Sequence, residues 1–173
     1  MKERGDAIVL IGFMGAGKSS IGRTLARMTG RPRFDTDEIV AARFSLTISE
    51  IFKTHGEEKF REAETAALRE LSEKSGAVVV TGGGIVLRPE YVELLRALGT
   101  VVHLRADEET LFRRISRRDS RPLLRTENPR ATMGELLRVR LPVYQEVADV
   151  DVDTSNLTHE QVAKRILKKI EQR

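Results

Sequence analysis

Eight residues near the start of the chain, Gly12-Phe13-Met14-Gly15-Ala16-Gly17-Lys18-Ser19, have the types and spacing needed to grip a phosphate chain. The glycines let backbone N–H groups turn inward around phosphate oxygens without a Cβ in the way. Lys18 places a point charge on the outer phosphates. Ser19 offers a hydroxyl ligand to Mg2+. Such a cradle needs a strand leading in and a helix leading out, and both are legible. Ala7-Ile8-Val9-Leu10-Ile11 is a continuous apolar run, as expected of a buried parallel strand. Ser19 to Met28 reads as a helix whose N-terminal dipole faces the same anion. A Gly-rich turn carrying a lysine by accident would lack this context. Gly15, Ala16, Gly17, Lys18, Ser19 and Ser20 are therefore the expected phosphate-binding set for a nucleotide, with Mg2+ as its cation.

The rest of the chain supplies alternating strands and helices. Arg33-Phe34, Ala77 to Thr81, Thr100 to Leu104 and Val150 to Asp153 read as further strands. Thr47-Ile48-Ser49-Glu50 has the pattern of a capping box opening a short helix through Phe52. Glu57 to Lys74 reads as a long helix, and Pro89 as the first turn of another ending near Gly99. Asp107 to about Arg118 is helix-like, followed by a polar Arg/Pro-rich stretch from Asp119 to Arg130. Thr132 is the expected cap of the next helix and Thr158 that of the last. This alternation predicts an α/β fold, a three-layer sandwich around a mainly parallel sheet. No repeat or linker divides the 173 residues, so one domain is expected.

Phosphate loops serve switches, motors and kinases alike, so the loop alone does not select a reaction. A GTPase would be expected to carry Asp-x-x-Gly and Asn-Lys-x-Asp, and neither occurs here. A small kinase remains, and it needs an acceptor site and a means of excluding water. Open α/β sheets bind ligands at the C-terminal ends of their strands. Phe34-Asp35-Thr36-Asp37 and Gly82-Gly83-Gly84 follow two such strands, Arg61 lies early in the long helix, and the Arg-rich stretch after residue 112 has the composition of a lid.

Taken together, the phosphate loop, Phe34-Asp35-Thr36-Asp37, Phe60-Arg61-Glu62-Ala63-Glu64, Thr81-Gly82-Gly83-Gly84, Arg121-Pro122-Leu123-Leu124 and Arg140-Leu141-Pro142-Val143-Tyr144 resemble shikimate kinase, from Ile8 to about Thr154. The resemblance implies a P-loop NTPase fold of the nucleoside-monophosphate-kinase-like kind. It implies transfer of a phosphoryl group from ATP to the 3-hydroxyl of shikimate, in aromatic amino-acid (chorismate) synthesis. It also implies roles. Arg61 and Arg140 match the arginines that bind the substrate carboxylate, a task suited to a guanidinium fork. Asp37 matches the residue that holds the reacting hydroxyl, and Asp35 one near the Mg2+. Gly82 and Gly83 match the loop against which shikimate lies. Arg121 matches a lid arginine on the transferred phosphate, and Arg114 one that packs on adenine. A substrate-binding segment about 33–61 and a mobile lid about 112–126 follow from the same likeness.

Each residue also has a plainer reading. Arg61 could make an ordinary surface salt bridge with Glu57, Glu58 or Glu64. Asp37 could cap the helix over Glu38 to Arg43, and Asp35 could be a turn carboxylate. The arginines after residue 112 could form a solvated face. Ser155-Asn156-Leu157 matches no adenine-reading pattern. His55, His103 and His159 have no metal spacing, and His103, alternating with apolar residues in a strand, reads as structural.

Bulk properties agree with this reading. The chain has no Cys, 30 basic and 26 acidic residues and a formal charge of +4. This fits a small anionic substrate and a reducing cytoplasm. The basic residues lack interleaved aromatics, so no nucleic-acid partner is expected. The N-terminal Met1-Lys2-Glu3-Arg4 resembles the charged start of a signal peptide, but the apolar run after it is short and enters the glycine loop. No membrane span is expected, and a monomer is. The alternatives are another small-molecule kinase on the same scaffold, such as a gluconate or nucleoside monophosphate kinase, and a non-catalytic ATP-binding regulator.

Overall fold

A computed structural model describes residues 5–117 and 126–173. Five strands, β1 (Ala7–Ile11), β2 (Arg33–Asp35), β3 (Val78–Val80), β4 (Gly99–Arg105) and β5 (Val150–Asp153), form one sheet in the order β2-β3-β1-β4-β5. Every neighbouring pair is parallel, with Leu10 opposite Val80 and Ile11 opposite His103. The apolar run of β1 is there because the central strand is covered on both faces, and each of its residues is buried.

The helices are α1 (Lys18–Thr29), α2 (Thr36–Phe44), α3 (Ile48–Leu71), α4 (Pro89–Leu98), α5 (Glu108–Ser116), α6 (Pro129–Val147) and α7 (His159–Glu171), with a 3-10 turn over Ile85–Leu87. One layer is formed by α1 and α7; α4, with α3 and α6 beside it, covers β1 and β4. The core runs through the sheet from Ala7 to Ile166. A second, small cluster of Val40, Ile51, Phe60 and Ala67 holds α2 against α3. Among the described residues no helix is long and apolar enough to cross a membrane.

Two boundaries differ from the sequence-based expectation. The short helix after Thr47 and the long helix from Glu57 form one span, broken at Gly56, whose φ of 81° and ψ of 170° are open to glycine at little cost. The capping box of Thr47 and Glu50 is present as expected. Helix α6 starts at Pro129 and not at Thr132: the Asn128 side chain accepts from the Ala131 N–H, and proline suits the first turn because its missing N–H would have no partner there. Of the expected lid about 112–126, residues 112–116 belong to α5, whereas 118–125, with Arg121, lie outside the described residues.

Candidate active site

The C-terminal ends of β1, β2 and β3 converge on one cleft, lined by Gly17, Lys18, Ser19, Ser20, Asp35, Asp37, Gly82 and Gly83, with Met14, Gly15 and Thr81. The phosphate loop forms its floor. Gly17 caps α1 with φ of 94°, in the left-handed region that other residues enter only with strain. No side chain caps this helix and no acidic residue lies in its first turn, so its N-terminal N–H groups suit an anion. The Lys18 Nζ donates to the carbonyls of Gly12 at 2.7 Å and Phe13 at 3.0 Å, which pins the ammonium above the loop.

The carboxylates stand on the next strand. Asp35, at the end of β2, caps α2, with its Oδ1 accepting from the Asp37 N–H at 3.1 Å. The capping role considered for Asp37 thus falls to Asp35, and Asp37 lines the cleft from the first turn of α2. Asp35 is only 7% exposed. Burial, reinforced by Glu38, pushes its carboxyl pKa up, while the Asp37 N–H and Arg33 at 3.4 Å pull the other way.

The three glycines after β3 bring their neighbours together, each in a different direction. A Cβ on Gly82 would stand 2.8 Å from Asp37 Oδ1. One on Gly83 would meet the Gly12 carbonyl and the Met14 N–H at 3.6 Å and the Tyr144 hydroxyl at 3.8 Å. One on Gly84 would stand 3.1 Å from Arg61 Nη2. The loop therefore touches a carboxylate, the phosphate loop and a guanidinium within three residues. Its approach is fixed by Thr36, whose hydroxyl accepts from the Gly82 N–H, and by Tyr144, whose hydroxyl donates to the Gly83 carbonyl.

Arg61 is not an ordinary surface ion pair. Its side chain is 11% exposed and its Nη1 lies 2.7 Å from Oε2 of Glu64, a carboxylate only 1% exposed. Burial opposes the charge on Arg61, but Glu64 and Glu57 outweigh it and hold its pKa above the usual value. Glu64 itself is pushed up by burial and drawn back by Arg61. Behind the pair, the Tyr91 hydroxyl donates to the Arg61 carbonyl at 2.8 Å, so α4 anchors this turn of α3. Arg140, on α6, stands over the Phe13 ring at 6.0 Å and so meets the phosphate loop from the other side. Arg114 donates to the Thr154 carbonyl at 2.8 Å, to its hydroxyl at 3.0 Å and to the Gly15 carbonyl at 3.3 Å. Burial lowers its pKa, as does the neighbouring Arg113.

Cleft, carboxylates and glycine loop stand together, while Arg61 and Arg140 lie beside the glycine loop and the phosphate loop and do not line the cleft itself. The family model of shikimate kinase matches residues 14–171. The chain belongs to the shikimate kinase family. A shikimate kinase of Thioalkalivibrio sulfidiphilus is 47% identical over 159 residues, covering 92% of this chain and 84% of that protein. A solved shikimate kinase from Acinetobacter baumannii, in complex with shikimate, has a TM-score of 0.91 at 38% identity, over 97% of this chain and 94% of that one. A gluconokinase from Sinorhizobium meliloti is far more distant, with a TM-score of 0.57 at 18% identity over 98% and 94% of the two chains, and shares the fold alone.

For a shikimate kinase, the site has members that sequence reasoning left without a role. Tyr144 is the main one, and Glu64, expected only as one of three surface partners for Arg61, is that arginine's buried partner. Both were within reach: Glu64 follows Arg61 by three residues, and Tyr144 follows Arg140 by four, so each shares a helix face with its arginine. The bond from Thr154 to the loop, through Arg114 and the Ala16 carbonyl, had no such signal, because it joins residues 138 apart.

Proposed function

We propose that this chain transfers the γ-phosphoryl group of ATP to the 3-hydroxyl of shikimate, giving shikimate 3-phosphate and ADP. The observation that carries the reading is the single cleft in which the phosphate loop faces Asp37 and the glycine loop. The loop N–H groups and Lys18 bind the phosphates and take up charge as it moves toward the leaving oxygen. Asp37 holds the acceptor hydroxyl in line and can accept its proton. Arg61 and Arg140, approaching from opposite sides, fix the acceptor carboxylate. Gly82 and Gly83 leave room for its ring. Arg114 supports the nucleotide side, and Arg121, in the lid segment, is assigned to the transferred phosphate.

The residues fit a magnesium ion. The Ser19 hydroxyl and the Asp35 carboxylate line the same cleft, and both are hard oxygen donors. Asp35 is buried with its pKa raised, a state that a nearby cation relieves. Among the described residues there is no cluster of three or more acidic or histidine side chains. That suits Mg2+, which takes most of its ligands from phosphate and water. When bound with ATP it would neutralise phosphate charge.

An acceptor panel tests the proposal. Purified chain with ATP and Mg2+ is offered shikimate, gluconate and nucleoside monophosphates, and ADP is measured. Shikimate-dependent ADP release is expected. Preference for gluconate or a nucleotide refutes the reading, and tight ATP binding with no turnover on any acceptor favours the regulator.

A further inference from the structure

His103 is a buried ionisable residue with no part in the reaction just described. It lies in β4, is 1% exposed, and pairs in register with Ile11 on one side and Asp151 on the other. Its Nδ1 is 2.7 Å from Asp151 Oδ1, while Asp151 Oδ2 accepts from Arg105 Nε at 2.7 Å. The face of its ring lies against Tyr144, with centroids 5.1 Å apart and planes within 14°. Tyr144 is fully buried, and its hydroxyl donates to the Gly83 carbonyl. Burial holds the Tyr144 pKa up at about 12, although Arg140 nearby works against this, so the hydroxyl keeps its proton and remains a donor.

These contacts form a column, Asp151–His103–Tyr144–Gly83, from the edge strand of the sheet to the glycine loop. A peptide unit is planar, so fixing the Gly83 carbonyl also fixes the direction of the Gly84 N–H. Tyr144 is also one helical turn from Arg140. An aromatic residue is the shape this position asks for. A histidine fills it at a cost in desolvation that only a bonded polar partner offsets. The ring edge bonded to Asp151 prevents rotation of the ring and so presents one fixed plane to Tyr144.

We infer that His103 is a positioning residue for the acceptor site, holding Tyr144 so that the Gly83 peptide and Arg140 keep the orientation that receives a hydroxylated ring carboxylate. This rests on the function proposed above.

The test is steady-state kinetics on the full chain with shikimate and ATP varied separately. His103→Ala raises KM for shikimate roughly three- to tenfold, the range set by loss of an aromatic pair. The KM for ATP changes less than the KM for shikimate, since the column meets the phosphate loop only at Gly83 and through the field of Lys18, while it holds the glycine loop and the helix of Arg140 directly. His103→Phe, which keeps the stacking face but loses the bond to Asp151, raises KM for shikimate less than His103→Ala does, and His103→Asn, which keeps only a polar edge, behaves like His103→Ala. Tyr144→Phe raises KM for shikimate in the same way, and adding His103→Ala to it produces less than the product of the two effects. A lowered melting temperature with KM for shikimate unchanged reduces His103 to a structural residue and overturns the inference, as does a double variant whose effects multiply.

A second readout needs no turnover. The chain has two tyrosines, so with fluorotyrosine the 19F resonance lost in Tyr144→Phe reports on the column. That resonance moves in His103→Ala and moves less in His103→Phe. A wild-type chain without activity on shikimate refutes the proposed function, whereas an unmoved resonance in His103→Ala refutes the column.

Discussion

Replacing Gly82 with alanine adds one methyl group at the point where the glycine loop meets Asp37. That Cβ would lie 2.8 Å from Asp37 Oδ1, and 3.4 Å from its Cγ and Oδ2. Ordinary contact begins near 3.4 Å, so the oxygen must retreat by about 0.6 Å. The obstacle is the end of a short side chain, so it is the carboxylate that yields and the backbone can stay. Gly82 is not in the left-handed region, and alanine fits its backbone. Glycine-to-alanine changes of that kind stabilise by about 0.4–1 kcal/mol through the unfolded chain. The melting temperature is therefore expected to hold or to rise by about 1–4 °C. Turnover falls, because a misplacement of about 1 Å costs on the order of 100-fold, so one of about 0.6 Å implies tenfold or more in kcat. KM for ATP stays constant. Shikimate-dependent ADP release and thermal unfolding on the same preparation measure both. A kcat within about twofold of wild type, with the fold intact, would refute the claim that the position of Asp37 matters.

Other outcomes follow from the same geometry. Asp35→Asn keeps an N-cap of equal quality and removes a carboxylate raised by burial, so thermal unfolding should show no loss of stability while activity at limiting Mg2+ collapses. Arg61→Ala should raise KM for shikimate about 10- to 100-fold, the worth of a charged hydrogen bond, and also destabilise the fold by stranding Glu64. Adding Glu64→Gln should recover stability without recovering KM, whereas Arg140→Ala should raise KM with little change in unfolding. Stability should also fall as pH drops through about 6.5. Burial lowers the pKa of His103, so the unfolded chain takes up a proton there before the folded chain does. His103→Phe should flatten that slope in thermal unfolding measured from pH 5 to 7.

The elements that carry a periodic or capped signal were legible. The strands β1, β3 and β4 fall where apolar runs mark them, because a strand buried on both faces has little polar alternation to blur it, whereas β2 and β5 are short, mixed segments whose place is marked by the alternation with helices around them. The Thr47 and Thr158 capping boxes mark their helices for the same reason: the signal is local. The start of α6 was misread because Asn128 and Pro129 sit inside an Arg/Pro-rich stretch whose composition suggests a loop, although Asn followed by Pro is itself a helix opening. The candidate site residues could be named but not arranged. Nothing in the order of residues says that Asp35 caps α2 and frees Asp37 to line the cleft. Nor does it say that three successive glycines face three different groups. Those relations are set by how strands far apart in the chain stack side by side, and so was the partnership of His103 with Tyr144.

The strand order has a consequence for how this protein comes into being. The strand at the centre of the sheet, β1, is the first to be made, yet its partners arrive late: Ile8 waits for Val78, and Ala7 for Gly99. A ribosome making the chain therefore exposes Ala7–Ile11 without a neighbour until Val78–Val80 have emerged, and such an apolar strand invites pairing with other chains. The phosphate loop hangs from that strand, and its Gly12 lies against the Leu104 carbonyl of β4, so the packing around the loop is complete only once β4 has emerged. The sequence separation of these contacts also slows refolding relative to helical proteins of equal size. Early capture of the N-terminal segment by a chaperone would act on the part of the chain from which the binding site is later built.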